Sequence, residues 1–127
     1  MSMDGMGDEP VMDKSNDADE STAIADCMEA CQECAIECGA CVSACIDAGN
    51  ADLGDCIRAC LDAIDCCNTC CNGMARDSAM MGAMCSMCAD CCEACAAECD
   101  KHTDIPECAD CAEACRACAE ACRAMAG

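Results

Sequence analysis

Cysteine is the residue whose type and spacing could do chemistry in this chain. It accounts for 23 of the 127 residues, and within four segments it recurs at alternating steps of three and four. The clearest run has steps of 4, 3, 4, 3 and 4, which fits the a and d positions of a helical heptad: Cys27, Cys31, Cys34, Cys38, Cys41 and Cys45. The pattern predicts helices whose buried stripe is made of thiols, where Leu and Ile would normally stand.

The spacing favours metal binding over disulfides within a helix. Residues at positions i and i+4 have Cβ atoms about 5–6 Å apart on one face, so two thiolates can converge on one small ion. A disulfide needs Cβ atoms about 3.5–4.5 Å apart. Eleven Cys-x-x-x-Cys pairs occur, at 27/31, 34/38, 41/45, 56/60, 66/70, 67/71, 88/92, 91/95, 95/99, 111/115 and 118/122.

The charge of the ion narrows the choice of metal. Thiolates select Cu(I), zinc or iron–sulfur clusters. Zinc with four thiolates leaves two negative charges, and several such sites stacked in one narrow core would repel one another. Cu(I) bridged by thiolates at a ratio near one approaches neutrality, whereas a cubane cluster needs more room than helices about 8–10 Å apart provide. We therefore expect multiple Cu(I) ions, with a zinc or cadmium buffer that acts like metallothionein as the alternative.

The composition indicates that burial of apolar side chains is not the only source of stability in the core. Phe, Tyr and Trp are absent, and the few branched aliphatic residues contribute only roughly 1.5–3 kcal/mol each when buried. Bound metal is the natural source of further cohesion. The formal net charge of −20 makes nucleic acid and anionic membranes poor partners.

The N-terminal sequence and the thiols predict a compartment. The chain starts Met-Ser-Met-Asp-Gly-Met, without the basic and apolar segments of a secretory signal, so we expect a cytoplasmic protein. No apolar run approaches the roughly 18 residues of a membrane span. Thiols stay reduced in the cytoplasm, where Cys-dense chains are more often metal-binding than disulfide-linked. A structural protein stapled by disulfides is a further alternative, which the odd number of cysteines argues against.

The chain divides into a tail and one domain. Residues 1–20 are acidic and Met-containing, with Pro10 interrupting regular structure, so we expect a disordered tail. Residues 21–127 hold every cysteine and are expected to form an all-α domain, an antiparallel up-down four-helix bundle with a Cys-lined core. The short connections between helices of roughly 20–27 residues imply that sequence neighbours pack antiparallel.

Capping residues mark the expected helix boundaries. The first helix is expected to run to about Ala48 and to end at Gly49-Asn50. The last is expected to start in the segment 103–107, with Pro106 in its first turn. The expected N-caps of the first three helices are, in order, Ser21 or Thr22, Asp52, and Asp77 or Ser78.

The remaining candidate ligands lie on the other three helices. The third stripe begins at Met81 and extends in register to His102, the only histidine. The cysteines are Cys56, Cys60, Cys66, Cys67, Cys70 and Cys71 on the second helix, Cys85, Cys88, Cys91, Cys92, Cys95 and Cys99 on the third, and Cys108, Cys111, Cys115, Cys118 and Cys122 on the fourth.

Chain direction gives the bundle two different ends. One end, here called the methionine end, is expected to collect Met28, Met74, Met80, Met81, Met84 and Met125. Thioethers bind Cu(I) without deprotonation, so Met81, Met84 and Met125 are candidate ligands that pass ions inward; the alternative is that they only plug the end. His102 is expected at the opposite end, as a ligand or as a polar residue at a helix C-terminus. The tail residues Met1, Met3, Met6 and Met12 are expected to emerge at the methionine end.

With these motifs the chain resembles the bacterial and archaeal copper storage proteins, Cys-rich four-helix bundles that fill their core with Cu(I). The resemblance covers about residues 22–126 and rests on the repeated pairs, such as Cys34-Ala-Ile-Glu-Cys38 and Cys118-Ala-Glu-Ala-Cys122. It implies storage without catalysis, a homo-oligomer, and admission of copper through a bundle end lined by Met or His. A copper chaperone is a candidate partner. The doubled cysteines at 66/67, 70/71 and 91/92 depart from a single stripe, so some thiols are expected at helix interfaces.

Overall fold

The fold is a bundle of four α-helices, as the spacing predicts. The computed structural model describes residues 12–126, with side chains from residue 21 onward, and this part contains no strand. Two short 3₁₀ helices, Ala51–Leu53 and Asp100–His102, lie in the connections. The α-helices are α1 (Met12–Ala48), α2 (Gly54–Ala75), α3 (Met81–Cys99) and α4 (Pro106–Ala126).

Each helix packs against its neighbours in sequence, and α1 closes the ring against α4. Two sulfur contacts show that α1 and α4 are antiparallel. Cys41 Sγ, late in α1, lies 3.3 Å from Cys108 Sγ in the first turn of α4, and Cys27 Sγ lies 3.7 Å from Cys122 Sγ near the end of α4. The predicted up-down-up-down order is therefore confirmed. None of the described helices is long and apolar enough to cross a membrane.

The start of α1 differs from the prediction. The helix begins at Met12, so the expected caps Ser21 and Thr22 lie inside it. The segment between Val11 and Gly39 contains neither Gly nor Pro, so neither of the residue types that disfavour a helix interior interrupts it. These local preferences outweigh the capping signal at position 21. Residues 1–11 of the predicted tail lie outside the described residues.

The connection between α1 and α2 confirms the expected end of α1 but corrects the expected N-cap that follows it. Asn50 rather than Asp52 caps the start of the second segment, because Asn50 Oδ1 accepts a hydrogen bond from the Asp52 backbone N–H at 2.9 Å. Gly49 has a φ of +68°, the left-handed conformation that ends helices and that Gly adopts without strain. The end of α1 at Ala48 is thus as predicted, while the expected cap at Asp52 is wrong.

The connection between α2 and α3 also corrects an expected cap. Neither Asp77 nor Ser78 occupies the N-cap position, which belongs to Met80 and has no side-chain hydrogen bond. Ser78 instead holds the turn before the helix, since its Oγ accepts from the Met80 N–H at 3.0 Å and its carbonyl accepts from the Met81 N–H at 3.1 Å. Pro106 is the first residue of α4, as predicted.

Thiols and small side chains make the core. Twenty cysteines are buried, each no more than 1% exposed. Among the branched aliphatic residues whose burial the structure describes, only Leu53 is buried, at 3% exposed, while Ile36 and Ile46 are more than 60% exposed. The remaining buried side chains are Ala63, Ala89, Ala96, Ala112, Ala119 and Met74. Small alanines let the helices approach, and the space between them is filled by sulfur.

Candidate metal centre

The predicted cysteine ligands fall into two groups. All 23 thiols are free, and twenty of them are buried in the interior of the bundle. The other three, Cys66, Cys71 and Cys91, are half-buried at helix interfaces. These three are members of the doubled pairs, as expected from their position beside the main stripes.

The buried sulfurs form a continuous file along the bundle axis. Successive Sγ atoms on it are no more than 4.0 Å apart, and most of the steps pass from one helix to another. The file runs through Cys45, Cys108, Cys41, Cys99, Cys95, Cys38, Cys34, Cys92, Cys67, Cys118, Cys31, Cys122 and Cys27, in that order. A metal ion bound at any point on the file therefore lies close to the thiol that would bind the next ion.

The sulfurs also gather into quartets whose Sγ atoms all lie within 4.8 Å of one another. In two quartets each helix contributes one cysteine, so these sites exist only when all four helices are in place. Five quartets are Cys27, Cys31, Cys70 and Cys122; Cys31, Cys88, Cys118 and Cys122; Cys34, Cys67, Cys92 and Cys118; Cys38, Cys95, Cys111 and Cys115; and Cys41, Cys60, Cys99 and Cys111.

Neighbouring quartets share members. Cys31, Cys111, Cys118 and Cys122 each belong to two of them. A thiolate has several lone pairs, so a shared sulfur can bind an ion on each side. The arrangement therefore suits a chain of metal ions joined by bridging thiolates better than it suits separate mononuclear sites.

Sulfur–sulfur distances within one helix are longer than the shortest distances between helices. Within a helix, Sγ atoms 3.9–4.0 Å apart occur in Cys34/Cys38, Cys41/Cys45, Cys88/Cys92, Cys95/Cys99 and Cys111/Cys115. The closest contacts in the core instead join different helices, at 3.3 Å for Cys41 with Cys108 and for Cys70 with Cys85. The i,i+4 rule did not predict these contacts, because it describes one helix at a time.

Burial keeps much of the core protonated at neutral pH. It raises the pKa of Cys56 and Cys85 from 9.0 to about 12, because the thiolate loses its hydration. Where sulfurs pack most tightly, the hydrogen bond with Cys115 lowers the pKa of Cys34, while hydrogen bonds with Cys111 and Cys34 raise the pKa of Cys115. A thiolate at one sulfur is thus stabilised by hydrogen bonds from the protonated thiols around it.

The half-buried cysteines lie outside the file. Cys66 on α2 faces Cys91 on α3, with their Sγ atoms 2.9 Å apart, and burial and the Cys91 thiol raise the pKa of Cys66 to about 12. Cys71 Sγ is directed at the backbone oxygen of Met28 on α1, at 3.6 Å. The predicted pairs 66/70, 67/71 and 91/95 therefore each join a buried thiol to one at an interface.

Methionines collect at one end, as chain direction predicts. Met74 is buried and belongs to the core cluster, and the partly buried Met28, Met81 and Met125 pack against that cluster. Met84 is half-buried, and its Sδ sits so close to Gly73 that a Cβ at that position would collide with it. Gly73 thus permits the close approach of Met84 to α2.

The remaining predicted ligands lie at or beyond the ends of the bundle. His102 is half-buried in the 3₁₀ helix that follows α3, at the end opposite the methionines. Its carbonyl accepts a hydrogen bond from the Ile105 N–H at 3.0 Å. Met12 is the first residue of α1, and Met1, Met3 and Met6 lie outside the described residues. Metal binding by these side chains stays a prediction.

Comparison with known proteins agrees with this geometry. Residues 20–127 match the family model described as copper storage protein. The chain belongs to the copper storage protein family. The matched region coincides with the Cys-lined bundle, so the role that defines this family is assigned to the part of the chain that carries the thiols. That role is storage of copper.

Solved copper storage proteins share the fold. The apo copper storage protein 3 of Bacillus subtilis is 42% identical, with a TM-score of 0.75, and the match covers 81% of this chain and 98% of that one. A cytosolic copper storage protein of Streptomyces lividans, with five coppers, is 37% identical, with a TM-score of 0.79 and coverage of 83% and 92%. The same Streptomyces protein has also been solved loaded with 10 copper equivalents. No match was found among curated protein sequences.

Proposed function

We propose that this copper storage protein holds its metal as Cu(I), bridged by thiolates along the whole bundle axis, in the reducing cytoplasm. The observation that carries the proposal is the continuous file of buried sulfurs with shared quartets. It offers many equivalent soft ligands and no single privileged site. Such a core suits a protein that sequesters many cuprous ions at once, on the order of ten to twenty.

Charge balance favours Cu(I) over a divalent ion. Sulfur spacing alone accepts both, because tetrahedral zinc with Zn–S distances of about 2.3 Å needs sulfurs about 3.8 Å apart. Five Zn²⁺ ions in the five quartets would bring ten positive charges to sixteen thiolates, which leaves six negative charges buried. Uncompensated charge in an apolar interior is strongly disfavoured. Sixteen Cu(I) ions with the same thiolates would be neutral.

Proton exchange limits the net charge that the core has to accommodate during loading. The empty core is neutral where its thiols are protonated, and the full core is neutral when each thiolate carries one Cu(I). At a protonated thiol each Cu(I) ion displaces one proton, so binding there adds no net charge to the interior. The raised pKa values of Cys56 and Cys85 fit this exchange, since these thiols ionise only when a metal ion takes the place of the proton.

The two ends of the bundle suggest a direction of transport. Methionine thioethers bind Cu(I) without a proton to lose, so Met81, Met84 and Met125 are suited to receive an ion and release it to the thiols beyond. Cys27, Cys70 and Cys122 form the quartet nearest this end together with Cys31. His102 lies at the opposite end.

Delivery and assembly follow from the same role. A copper chaperone would hand Cu(I) to the methionine end, and a homo-oligomer would increase the amount stored per assembly. The Streptomyces relative described as cytosolic supports the proposed compartment. The described thiols are buried or half-buried among one another, which suits shared metal ligation better than the activation of a single catalytic nucleophile.

Anaerobic titration with Cu(I) in competition with a chromophoric chelator tests the proposal. We expect saturation well above about ten ions per chain, because nearly every buried thiol takes part. A parallel titration with Zn²⁺ serves as the comparison, and its bound ions should be displaced by Cu(I). Saturation of the protein at about five or six Cu(I) ions, or retention of zinc against excess Cu(I), would contradict Cu(I) storage and favour the zinc or cadmium buffer.

A further inference from the structure

One pair of thiols outside the core is closer than any pair inside it. The Sγ atoms of Cys66 and Cys91 are 2.9 Å apart, whereas the closest core pairs are separated by 3.3 Å. Both cysteines are half-buried, and they bridge α2 and α3. This pair differs from the core thiols in both spacing and access.

The two helices present one thiol pair inward and another outward. The adjacent residues Cys67 and Cys92 contact each other inside the core, with Sγ atoms 3.9 Å apart. Successive residues of a helix point about 100° apart, so Cys66 and Cys91 turn toward the surface of the same interface. The outer pair is thereby fixed in place by the packing of the inner one.

We propose that Cys66 and Cys91 form a reversible disulfide that ties α2 to α3 outside the copper core. A disulfide bond is about 2.05 Å long, so the two sulfurs need to approach by less than about 1 Å. The core sulfurs, at 3.3–4.0 Å, have the spacing of thiolates that share a metal ion. The inference concerns a site separate from the proposed copper core and does not rest on it.

The oxidant is a low-molecular-weight disulfide that reaches Cys66 from solvent. Cys66 lines a surface cavity of about 190 Å³, together with Asp65, Thr69, Met84 and Met87. The Cys66 thiolate attacks one sulfur of the small disulfide, forms a mixed disulfide and releases one thiol. The Cys91 thiolate then attacks Cys66 Sγ and releases the second thiol. Two protein thiols are oxidised, one small disulfide is reduced to two thiols, and each protein proton ends on a released thiol.

Access makes the reaction selective. The core thiols are no more than 1% exposed, so a bulky disulfide cannot reach them while the bundle is folded. Cys71 shares the half-buried position of Cys66 and Cys91, but its sulfur is directed at the Met28 backbone oxygen of α1. Oxidation at Cys66 and Cys91 therefore leaves the twenty buried thiols free to bind copper.

The test equilibrates the full chain with a glutathione redox buffer, followed by acid quenching, alkylation and mass spectrometry after cleavage at Lys and Arg. Equilibrium is the quantity measured, because the half-buried position of Cys66 slows its reaction with a bulky disulfide. The expected product joins peptide 59–76 to peptide 77–101. Cys66→Ser and Cys91→Ser should each abolish this product, and the matched control Cys71→Ser should retain it.

Several outcomes would overturn the proposal. These are absence of the joined peptides in the wild-type chain, their persistence in Cys66→Ser or Cys91→Ser, and their loss in Cys71→Ser. A second measurement does not depend on the variants: the thermal midpoint of the apo protein should rise by several degrees on oxidation, because the crosslink restricts the unfolded chain. An unchanged midpoint would count against the disulfide. The Cu(I) titration is independent, so low copper capacity with the joined peptides present would refute only the storage proposal.

Discussion

The Sγ atoms of Cys41 and Cys108 lie 3.3 Å apart although 67 positions separate them in the chain. Cys41 is in the last turns of α1 and Cys108 in the first turn of α4, so the contact exists only because the ring of helices closes. Cys45 contacts the same Cys108 sulfur at 3.7 Å. Ligand sets of this kind belong to the assembled bundle and to no single helix, and their shared members lead to the first prediction.

Replacement of a shared thiol should remove more than one copper site. Cys118 belongs to two quartets, with its Sγ 3.6 Å from Cys31 Sγ and 3.8 Å from Cys67 Sγ. We expect Cys118→Ala to lower Cu(I) capacity by about two ions, because two bridged sites lose a ligand. Cys71→Ala, outside the file, should lower it by less than about one ion. Equal losses in the two variants, measured by chelator competition, would contradict bridging.

Loading with Cu(I) should release protons. Below pH 9 the thiols with raised pKa, such as Cys56 and Cys85 at about 12, are protonated in the empty core. Each Cu(I) ion then displaces about one proton, and apparent affinity should rise up to about tenfold per pH unit. The number of protons released per Cu(I) ion is measured by the colour change of a pH indicator dye in weakly buffered solution. Copper affinity that is constant between pH 6 and pH 8 would argue against thiolate ligation.

The empty bundle should lose stability in alkali. The pKa of Cys56 and Cys85 is raised on folding from 9.0 to about 12, so the unfolded chain ionises first. Their contribution to stability is fully present below pH 9 and is lost as pH rises toward about 12. Helical circular dichroism during urea unfolding should show this fall for the apo protein, while copper-loaded protein resists it. An equal unfolding free energy at pH 8 and pH 11 would show that these thiols do not control stability.

The methionine end should control the rate of loading without setting its extent. Conversion of Met81, Met84 and Met125 to Leu keeps the apolar volume but removes the thioether sulfur. We expect Cu(I) uptake, followed by stopped-flow with a chromophoric donor, to slow severalfold at unchanged capacity. Met87→Leu is the matched control, because Met87 is 60% exposed on the outer face of α3. Uptake at the wild-type rate in the triple variant, and in a variant that also lacks residues 1–20, would show that the methionines only fill the end of the bundle and do not transfer copper.

Small residues at the helix interfaces should be intolerant of added volume. Ala89 on α3 is fully buried, whereas Ala94 on the same helix is exposed. Ala89→Leu should destabilise the apo bundle by about 1–3 kcal/mol, since overpacking forces helices apart. Ala94→Leu should change stability by less than about 0.5 kcal/mol, because helix propensities of Ala and Leu are close. Urea unfolding of both variants under reducing conditions measures the difference.

The prediction from sequence was most successful where the signal repeats and least successful where it depends on one residue. The stripe from Cys27 to Cys45 is buried without exception, because six concordant positions specify one face of a helix. Single capping residues were less informative: Asn50 takes the role expected of Asp52, since both residue types satisfy backbone N–H groups equally well. Local helix preference likewise extends α1 upstream of Ser21.

The sequence by itself determined the four stripes, the antiparallel order of the helices and the collection of methionines at one end. These features follow from helical periodicity and short connections, which are local properties of the chain. Only the tertiary structure decided which sulfurs meet across helices, such as Cys38 with Cys111 at 3.4 Å and Cys66 with Cys91 at 2.9 Å. Such pairs depend on the rotation and axial offset of each helix against its neighbour, and spacing along a single helix does not specify either.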